Sequence, residues 1–554
     1  MSGRIFARWS SGSRRSQRGS ATASRVPSST TGRKSGTARS GPRCRCRSGL
    51  CRRRPPSILS RRRVRGRASL EPVPEVPALR PLVWFRRDLR TKDNTALFEA
   101  SRAATRGMVA AFVVCAEDWR RHDDAPVKVD LWLRTLRELS CALAALNIPL
   151  IILESRTPGR IGTVLLELAD RAECDALFFN EEYEVDERAR DESVTRKFES
   201  SSRCVRSFHD HVVFDPASIR TGEGRFYSVF TPFKRAFLAR AETEGIRLLP
   251  PPKRQPEMVL APTPVPERIE GFQTRIDPTP WPAGERHAIR RLEQFCERGI
   301  AGYKDGRDFP ALDTTSRLSP YLNSGTLSPR QCIVAARGAN QARLDDSHPG
   351  APGPATWISE VIWREFYQHV LVGFPRVSMG RAFRPATDRI GWSDRLDHFE
   401  SWCGGRTGVP VVDAAMRQLN TTGWMHNRLR MIAAMYLTKD LFIDWRLGER
   451  YFMQRLIDGD LGSNNGGWQW SASTGTDAAP YFRIFNPITQ SRRFDPNGDF
   501  IRAWLPELRG VEGDAVHDPS VLPPLRRAAL DYPQPLVDRD AVKERVIAAF
   551  KAIG

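Results

Sequence analysis

The sequence predicts an α/β half built on a doubly wound parallel sheet, joined by a long linker to an all-helical half. Three observations carry this reading. From about residue 80 to residue 210, apolar runs of strand length alternate with segments of helical period. A Pro-rich stretch then runs from Pro250 to Pro282. Beyond about residue 286 strand signals vanish, and helical patterns carry nine of the chain's 14 Trp between Trp357 and Trp504. Trp is a good core residue, so that density alone decides nothing about function.

Residues 1–75 read as a disordered basic extension. Residues 1–70 hold 20 of the 86 Lys and Arg, and the first acidic residue is Glu71. With almost no apolar periodicity, such a segment cannot bury enough surface to offset its ordering entropy. Its Arg- and Ser-rich, acid-free composition fits an organelle transit peptide. An upstream extension from a misassigned start predicts the same composition, and a basic DNA-binding arm is a third reading. The remaining chain carries 66 basic against 64 acidic residues, a net of +2, so nearly all of the +22 belongs to the tail. Nucleic-acid affinity in the body therefore needs a local patch. Cys44, Cys46 and Cys51 lack the paired spacing and fourth ligand of a zinc site, and no metal is expected. No apolar secretory core follows the first basic residues, which points to free thiols in a reducing compartment. No apolar run approaches the roughly 18–20 residues of a membrane span, so a soluble chain is expected.

Within residues 80–210, Leu82–Phe85, Met108–Val114, Pro149–Leu153 and Ala176–Asn180 are strand-length apolar runs. Val127–Leu146 and Arg160–Arg171 show helical spacing between them. Such alternation predicts parallel strands with helices on both faces. The turn Arg86-Arg87-Asp88-Leu89-Arg90 lacks a Gly-rich fingerprint, so no nicotinamide dinucleotide is expected there. Residues 211–285 read as an irregular interdomain linker and 286–554 as the helical domain.

Four runs in the helical half suggest ligand chemistry. Thr315-Ser316-Arg317-Leu318-Ser319-Pro320 places hydroxyls and a cation ahead of an apolar helical run, suiting either a phosphate or a plain cap. In the helix Trp357–Tyr367, residues Trp357, Glu360 and Arg364 share one face and Trp363 an adjoining one. A buried ion pair or a planar charged ligand would explain that stripe. Asn427, Arg430 and Met431 share a face in Trp424–Met431, with Arg428 pointing elsewhere, a set able to clamp a base, a phosphate or a flat ring. Asp458-Gly459-Asp460-Leu461-Gly462-Ser463-Asn464-Asn465-Gly466-Gly467-Trp468-Gln469-Trp470 reads as a ligand loop, with Gly pairs for close backbone approach and Trp for stacking.

Together these runs identify a resemblance. From Leu82 to about Ala548 the chain resembles the photolyase/cryptochrome flavoproteins, and within them the bacterial-type class I photolyases for cyclobutane pyrimidine dimers. Ile362–Tyr367, Gly408–Arg430 and Asp458–Pro487 carry it. The resemblance implies a Rossmann-like α/β antenna domain, a helical domain holding one FAD, and light-driven dimer repair by electron transfer from reduced FAD. It assigns FAD contacts to Tyr303, the cradle Thr315, Ser316, Arg317, Leu318 and Ser319, then Trp357, Arg364, Arg430, Asp458, Gly459 and Asp460. Asn464 would face the central ring of the flavin. Trp392, Trp445 and Trp468 would relay an electron inward from the surface. Glu360, Trp363, Asn427, Met431 and Trp470 would form the pocket for a flipped-out dimer. Arg307, Arg428 and Arg483 would contact the flanking phosphates.

Asp186 and Glu187 match the positions that hold a methenyltetrahydrofolate antenna, but Asp186 stands where relatives carry Asn. Met379 stands where a Lys would help hold the folate, which should weaken binding of an anionic tail. A deazaflavin or an empty antenna site are the alternatives. The expected partner is ultraviolet-damaged DNA containing pyrimidine dimers, bound by a monomer with no membrane partner. An intracellular location follows, cytoplasmic in a bacterium and nuclear or organellar in a eukaryote. The rival readings are a cryptochrome that signals without repair and a non-enzymatic DNA-binding protein.

Overall fold

The computed structural model describes residues 79–340 and 350–553. The readings on residues 1–75, including the three Cys, lie outside the described residues. Strands β1 (Pro81–Phe85), β2 (Val109–Val114), β3 (Leu150–Glu154), β4 (Ala176–Asn180) and β5 (Cys204–Phe208) form one parallel sheet in the order β3-β2-β1-β4-β5. β1 is central, and period-two alternation sends Val83 and Phe85 to one face and Leu82 and Trp84 to the other. The helix Pro126–Ala144 covers the first face with Val129, Trp132, Leu133 and Leu136. Helices Ile161–Arg171 and Val185–Ser200 cover the second with Leu165, Leu168, Val194 and Phe198. Burying each large apolar side chain contributes roughly 1.5–3 kcal/mol. The sheet is doubly wound, and the chain beyond it is helical.

Two stretches differ from the sequence reading. The supposedly irregular residues 211–285 contain the helix Phe230–Glu244. Its Phe230, Phe233 and Phe237 fall at helical spacing and pack with Phe366 in the core of the helical half. Aromatic burial there wins over the Gly- and Pro-rich flanks. The supposed ligand loop Asp458–Trp470 is helical from Leu461 onward, in the helix Leu461–Ala472. Asp460 caps it, its carboxylate accepting from the Ser463 N–H at 2.8 Å. Gly466 serves packing: a Cβ there would lie 2.2 Å from Cε1 of Tyr367 on the helix Pro352–Gly373. Close helix approach, not close ligand approach, explains that glycine.

Buried ions join the sheet to the helical half. Asp93, after β1, accepts from Ser328 Oγ at 2.5 Å and Arg330 Nε at 2.9 Å. Arg330 also donates to Asp210 at 2.7 Å, and Asp210 pairs with Arg90. Despite complete burial, Arg90 and Arg330 hold the Asp210 carboxyl well below the usual carboxylate range. Gly325, at φ +65°, allows the contact: a Cβ would fall 1.8 Å from the Arg87 carbonyl oxygen. Among the described residues, no helix is long and apolar enough to cross a membrane.

Candidate active site

The helices Pro352–Gly373, Asn427–Met435 and Leu461–Ala472 pack together and carry eleven of the predicted residues. Segment 303–319 lies against them. Trp357 is buried and its Nε1 donates to Ser316 Oγ at 3.3 Å. Phe295 bridges Trp357 and Tyr303, with ring centroids 5.2 and 5.8 Å away. Burial raises the Tyr303 hydroxyl above the ordinary phenol range, so it stays neutral. Leu318 anchors the cradle in the core, while Thr315 and Ser316 are half-buried and Ser319 is exposed. Arg317 adopts left-handed backbone at φ 49° and pairs with Asp313 at 2.9 Å. Its Nε is buried without a partner among the described residues.

Arg430 and Asp458 form an ion pair. Arg430 Nη2 reaches both Asp458 oxygens at 3.0 and 2.8 Å, and Ser319 Oγ donates to Asp458 at 2.6 Å. The Asp458 side chain is only 2% exposed, so this charge is committed to its partners. Lys128, from the α/β half, and Asn323 both donate to the Gly459 carbonyl, at 2.7 and 2.9 Å. Burial would raise the Asp460 carboxyl, but Arg364 and Arg87 hold it below its ordinary value. Trp357, Glu360 and Arg364 start from one helix face yet reach different partners: Ser316, Arg307 and the His211 carbonyl.

Asn464 is half-buried and donates to the Glu449 carbonyl at 2.9 Å. Trp468 and Trp445 sit in one buried cluster, and half-buried Trp392 packs against its edge. Trp468 meets Phe452 at 4.9 Å and Trp402 at 5.9 Å, and Trp392 meets Phe442 at 5.1 Å. Burial thus falls from Trp468 and Trp445 to Trp392.

On the other side, Trp363 stacks on Phe230 at 3.7 Å with rings 8° apart. Trp470 lies 6.4 Å from Phe485. Met431 is half-buried and Asn427 exposed. Arg483 is exposed beside Phe482, itself 63% exposed. Sequence reasoning treated Arg307 and Glu360 as separate contacts, but they bond to each other at 2.6 Å. Arg428 pairs with Asp308 at 2.8 Å and lies over the Phe494 ring at 4.4 Å.

Three contributors escaped the sequence reading. Asp308 and Lys128 are ordinary charges in sequence, and only long-range contacts single them out. His426 caps the helix Asn427–Met435, its Nδ1 accepting from the Arg428 N–H at 3.2 Å. Burial depresses its pKa to about 4.

At the positions expected to hold an antenna, Asp186 pairs with Arg121 at 2.7 Å and lies 3.3 Å from His122, which is 3.4 Å from Glu187. Burial, with Glu184 alongside, pushes Glu187 up to about 7. The adjoining Val185 N–H donates to Ser378 Oγ at 3.0 Å, beside exposed Met379. The side-chain partners of Asp186 and Glu187, Arg121 and His122, belong to the α/β half.

With this geometry in hand, the comparisons are specific. Residues 81–257 match the family described as DNA photolyase, and residues 357–552 match the FAD binding domain of DNA photolyase. A deoxyribodipyrimidine photo-lyase of Salmonella typhimurium is 44% identical over 471 residues, 85% of this chain and 98% of the relative. The chain belongs to the DNA photolyase family. A class III photolyase from Agrobacterium tumefaciens superposes with TM-score 0.73 at 33% identity, covering 86% of this chain and 98% of that one. A Synechocystis cryptochrome gives TM-score 0.74 at 25% identity, over 85% and 99%. Overall shape does not separate repair from signalling. FAD is the cofactor of this family's helical domain, and the residues here fit it. The hydroxyls of Thr315, Ser316 and Ser319 and the unpartnered Nε of Arg317 suit a diphosphate.

Proposed function

We infer that this chain is a FAD-dependent deoxyribodipyrimidine photo-lyase that uses light to repair cyclobutane pyrimidine dimers in DNA. The observation that carries it is 44% identity across 98% of a photo-lyase. Reduced FAD, when bound, supplies the light-driven electron that opens the cyclobutane ring. The chain's own residues bind, orient and balance charge. Tyr303, Thr315–Ser319, Trp357, Arg364 and Gly459–Asp460 hold the cofactor, and the Arg430–Asp458 pair fixes the charge beside it. Asn464 offers an uncharged amide to the central ring. Trp392, Trp445 and Trp468 carry an electron inward. Trp363 and Trp470 flank the flipped dimer, Met431 touches it, and Glu360 and Asn427 bond its base edges. Arg307, Arg428 and Arg483 grip flanking phosphates.

Residues 80–210 form the antenna domain and 286–554 the flavin domain in this reading, with 211–285 connecting them through the helix Phe230–Glu244. Asp186 and Glu187 take methenyltetrahydrofolate, held weakly because Met379 brings no cation. The protein acts inside the cell as a monomer on damaged DNA, without a membrane partner.

The test is illumination of the purified protein with a thymine-dimer oligonucleotide. Recovery of absorbance at the thymine band in light and not in the dark is expected, and no recovery would leave the signalling reading. Trp392→Phe should block light-driven reduction of oxidised flavin while sparing repair by pre-reduced enzyme. Normal photoreduction in that variant would show the relay to be misassigned.

A further inference from the structure

Two of the three guanidiniums read as phosphate contacts are already occupied by carboxylates. Arg307 Nη1 lies 2.6 Å from Glu360, and its Nε lies 3.8 Å from Asp308 Oδ1. The same Asp308 oxygen sits 2.8 Å from Arg428 Nη2. One carboxylate oxygen thus lies between two guanidiniums, as a phosphate oxygen would. The four charges sum to zero. All four side chains keep 17–33% of their surface, so incoming DNA can reach them. Arg428 is positioned independently of Asp308 by the Phe494 ring, 4.4 Å from its Cζ. Its Nε is buried without a partner among the described residues.

We propose that Asp308 and Glu360 form a charge-cancelling latch over Arg307 and Arg428 that keeps this surface from gripping undamaged DNA. The proposal rests on the reading of these Arg as phosphate contacts. A flipped dimer draws Glu360 to its base edge and releases Arg307. The phosphate beside the lesion then replaces Asp308 between the guanidiniums. Lesion recognition and backbone grip become one event, and undamaged duplex, which offers no base edge to Glu360, meets a neutral patch. Asp308 acts through the two Arg and is a positioning residue that lowers their grip on DNA.

The experiment measures binding of the full, flavin-loaded chain to fluorescent duplexes with and without a thymine dimer, across a range of potassium chloride. Asp308→Asn should bind undamaged duplex about fivefold more tightly, the scale of one half-exposed ion pair. Its slope of log affinity against log salt should steepen by about one. Affinity for dimer duplex should rise by a similar factor, because that complex no longer has to open the latch. Asp308→Glu, which keeps the charge, should restore the weaker undamaged binding. Undamaged-duplex affinity that is unchanged or weaker in Asp308→Asn, with normal flavin absorbance, overturns the proposal. If that variant loses flavin, Glu360→Gln opens the other half of the latch and must tighten undamaged binding by a similar factor, or the latch fails. Arg307→Gln and Arg428→Gln test the underlying reading separately: if neither weakens binding to either duplex, the phosphate assignment itself is wrong.

Discussion

Two guanidinium–carboxylate pairs lie within the same group of helices and differ in one physical respect. Arg430 and Asp458 meet with the carboxylate 2% exposed and Ser319 completing its hydrogen bonds. Arg307 and Glu360 meet with 21% and 31% of their side chains still wet. Breaking the first leaves a charge in the dry interior, whereas the second can exchange for water, phosphate or a base edge at little cost. In the proposed reading, the difference separates a permanent fixture for the cofactor from a replaceable one for DNA.

The strongest way to break this comparison is Arg430→Ala. It strands the Asp458 carboxylate, at a cost of about 3–5 kcal/mol. Loss of bound flavin is expected together with a lower melting temperature, and a variant with full flavin absorbance would show that the pair is not committed.

Next in size is Glu360→Ala combined with Trp363→Ala. Losing a stacking face costs roughly 1–3 kcal/mol, and an unpaired base edge adds roughly 1–3 kcal/mol more. Preference for dimer DNA should fall about a hundredfold or more with flavin retained. Undamaged duplex should bind somewhat more tightly, since Arg307 is freed. Trp363 also stacks on Phe230, so flavin content must be read beside binding. A variant that keeps its flavin and its preference places the lesion pocket elsewhere.

The smallest effect concerns the helix that carries both Arg428 and Arg430. His426 caps it only while neutral. Its folded pKa is depressed to about 4 against an ordinary 6.5, so the unfolded chain takes up the proton first. Stability from this group is therefore complete above pH 6.5 and is lost as pH falls toward 4, by at most about 3 kcal/mol. His426→Asn keeps a capping acceptor that does not titrate. Between pH 7 and pH 4, urea melts should show the parent losing ground to this variant, and parallel curves would refute the account.

What the sequence made legible follows from where each element is buried. β1, β2, β3 and β4 read clearly because they are largely buried, leaving continuous apolar runs. β5 did not, because it is an edge strand whose Cys204, Arg206 and Ser207 are exposed. The helix Val185–Ser200 was missed because only Asp191, Val194 and Phe198 are buried among its charges. Glycine and Asn obscured the helix Leu461–Ala472, whose small residues answer to a neighbouring helix that sequence spacing does not reveal. At the site, residue types were legible through resemblance, but partnerships were not. Glu360 and Arg307 are 53 positions apart, and nothing local announces that they bond.

The buried ions between sheet and helices carry a consequence for biosynthesis. Asp93 is 1% exposed, yet its carboxylate is satisfied by Leu249, Ser328 and Arg330, up to 237 residues later in the chain. At roughly 5–20 residues per second, a ribosome needs about ten to fifty seconds to bridge that gap. During that interval the newly made sheet carries a carboxylate that cannot be enclosed without its distant cation. The C-terminal end of the sheet that will meet the helices must stay hydrated until Arg330 emerges. Expression of the α/β half alone should therefore give a product that samples partly open states. Pulse proteolysis of nascent chains stalled before and after residue 330 would reveal closure as a late, abrupt gain of resistance.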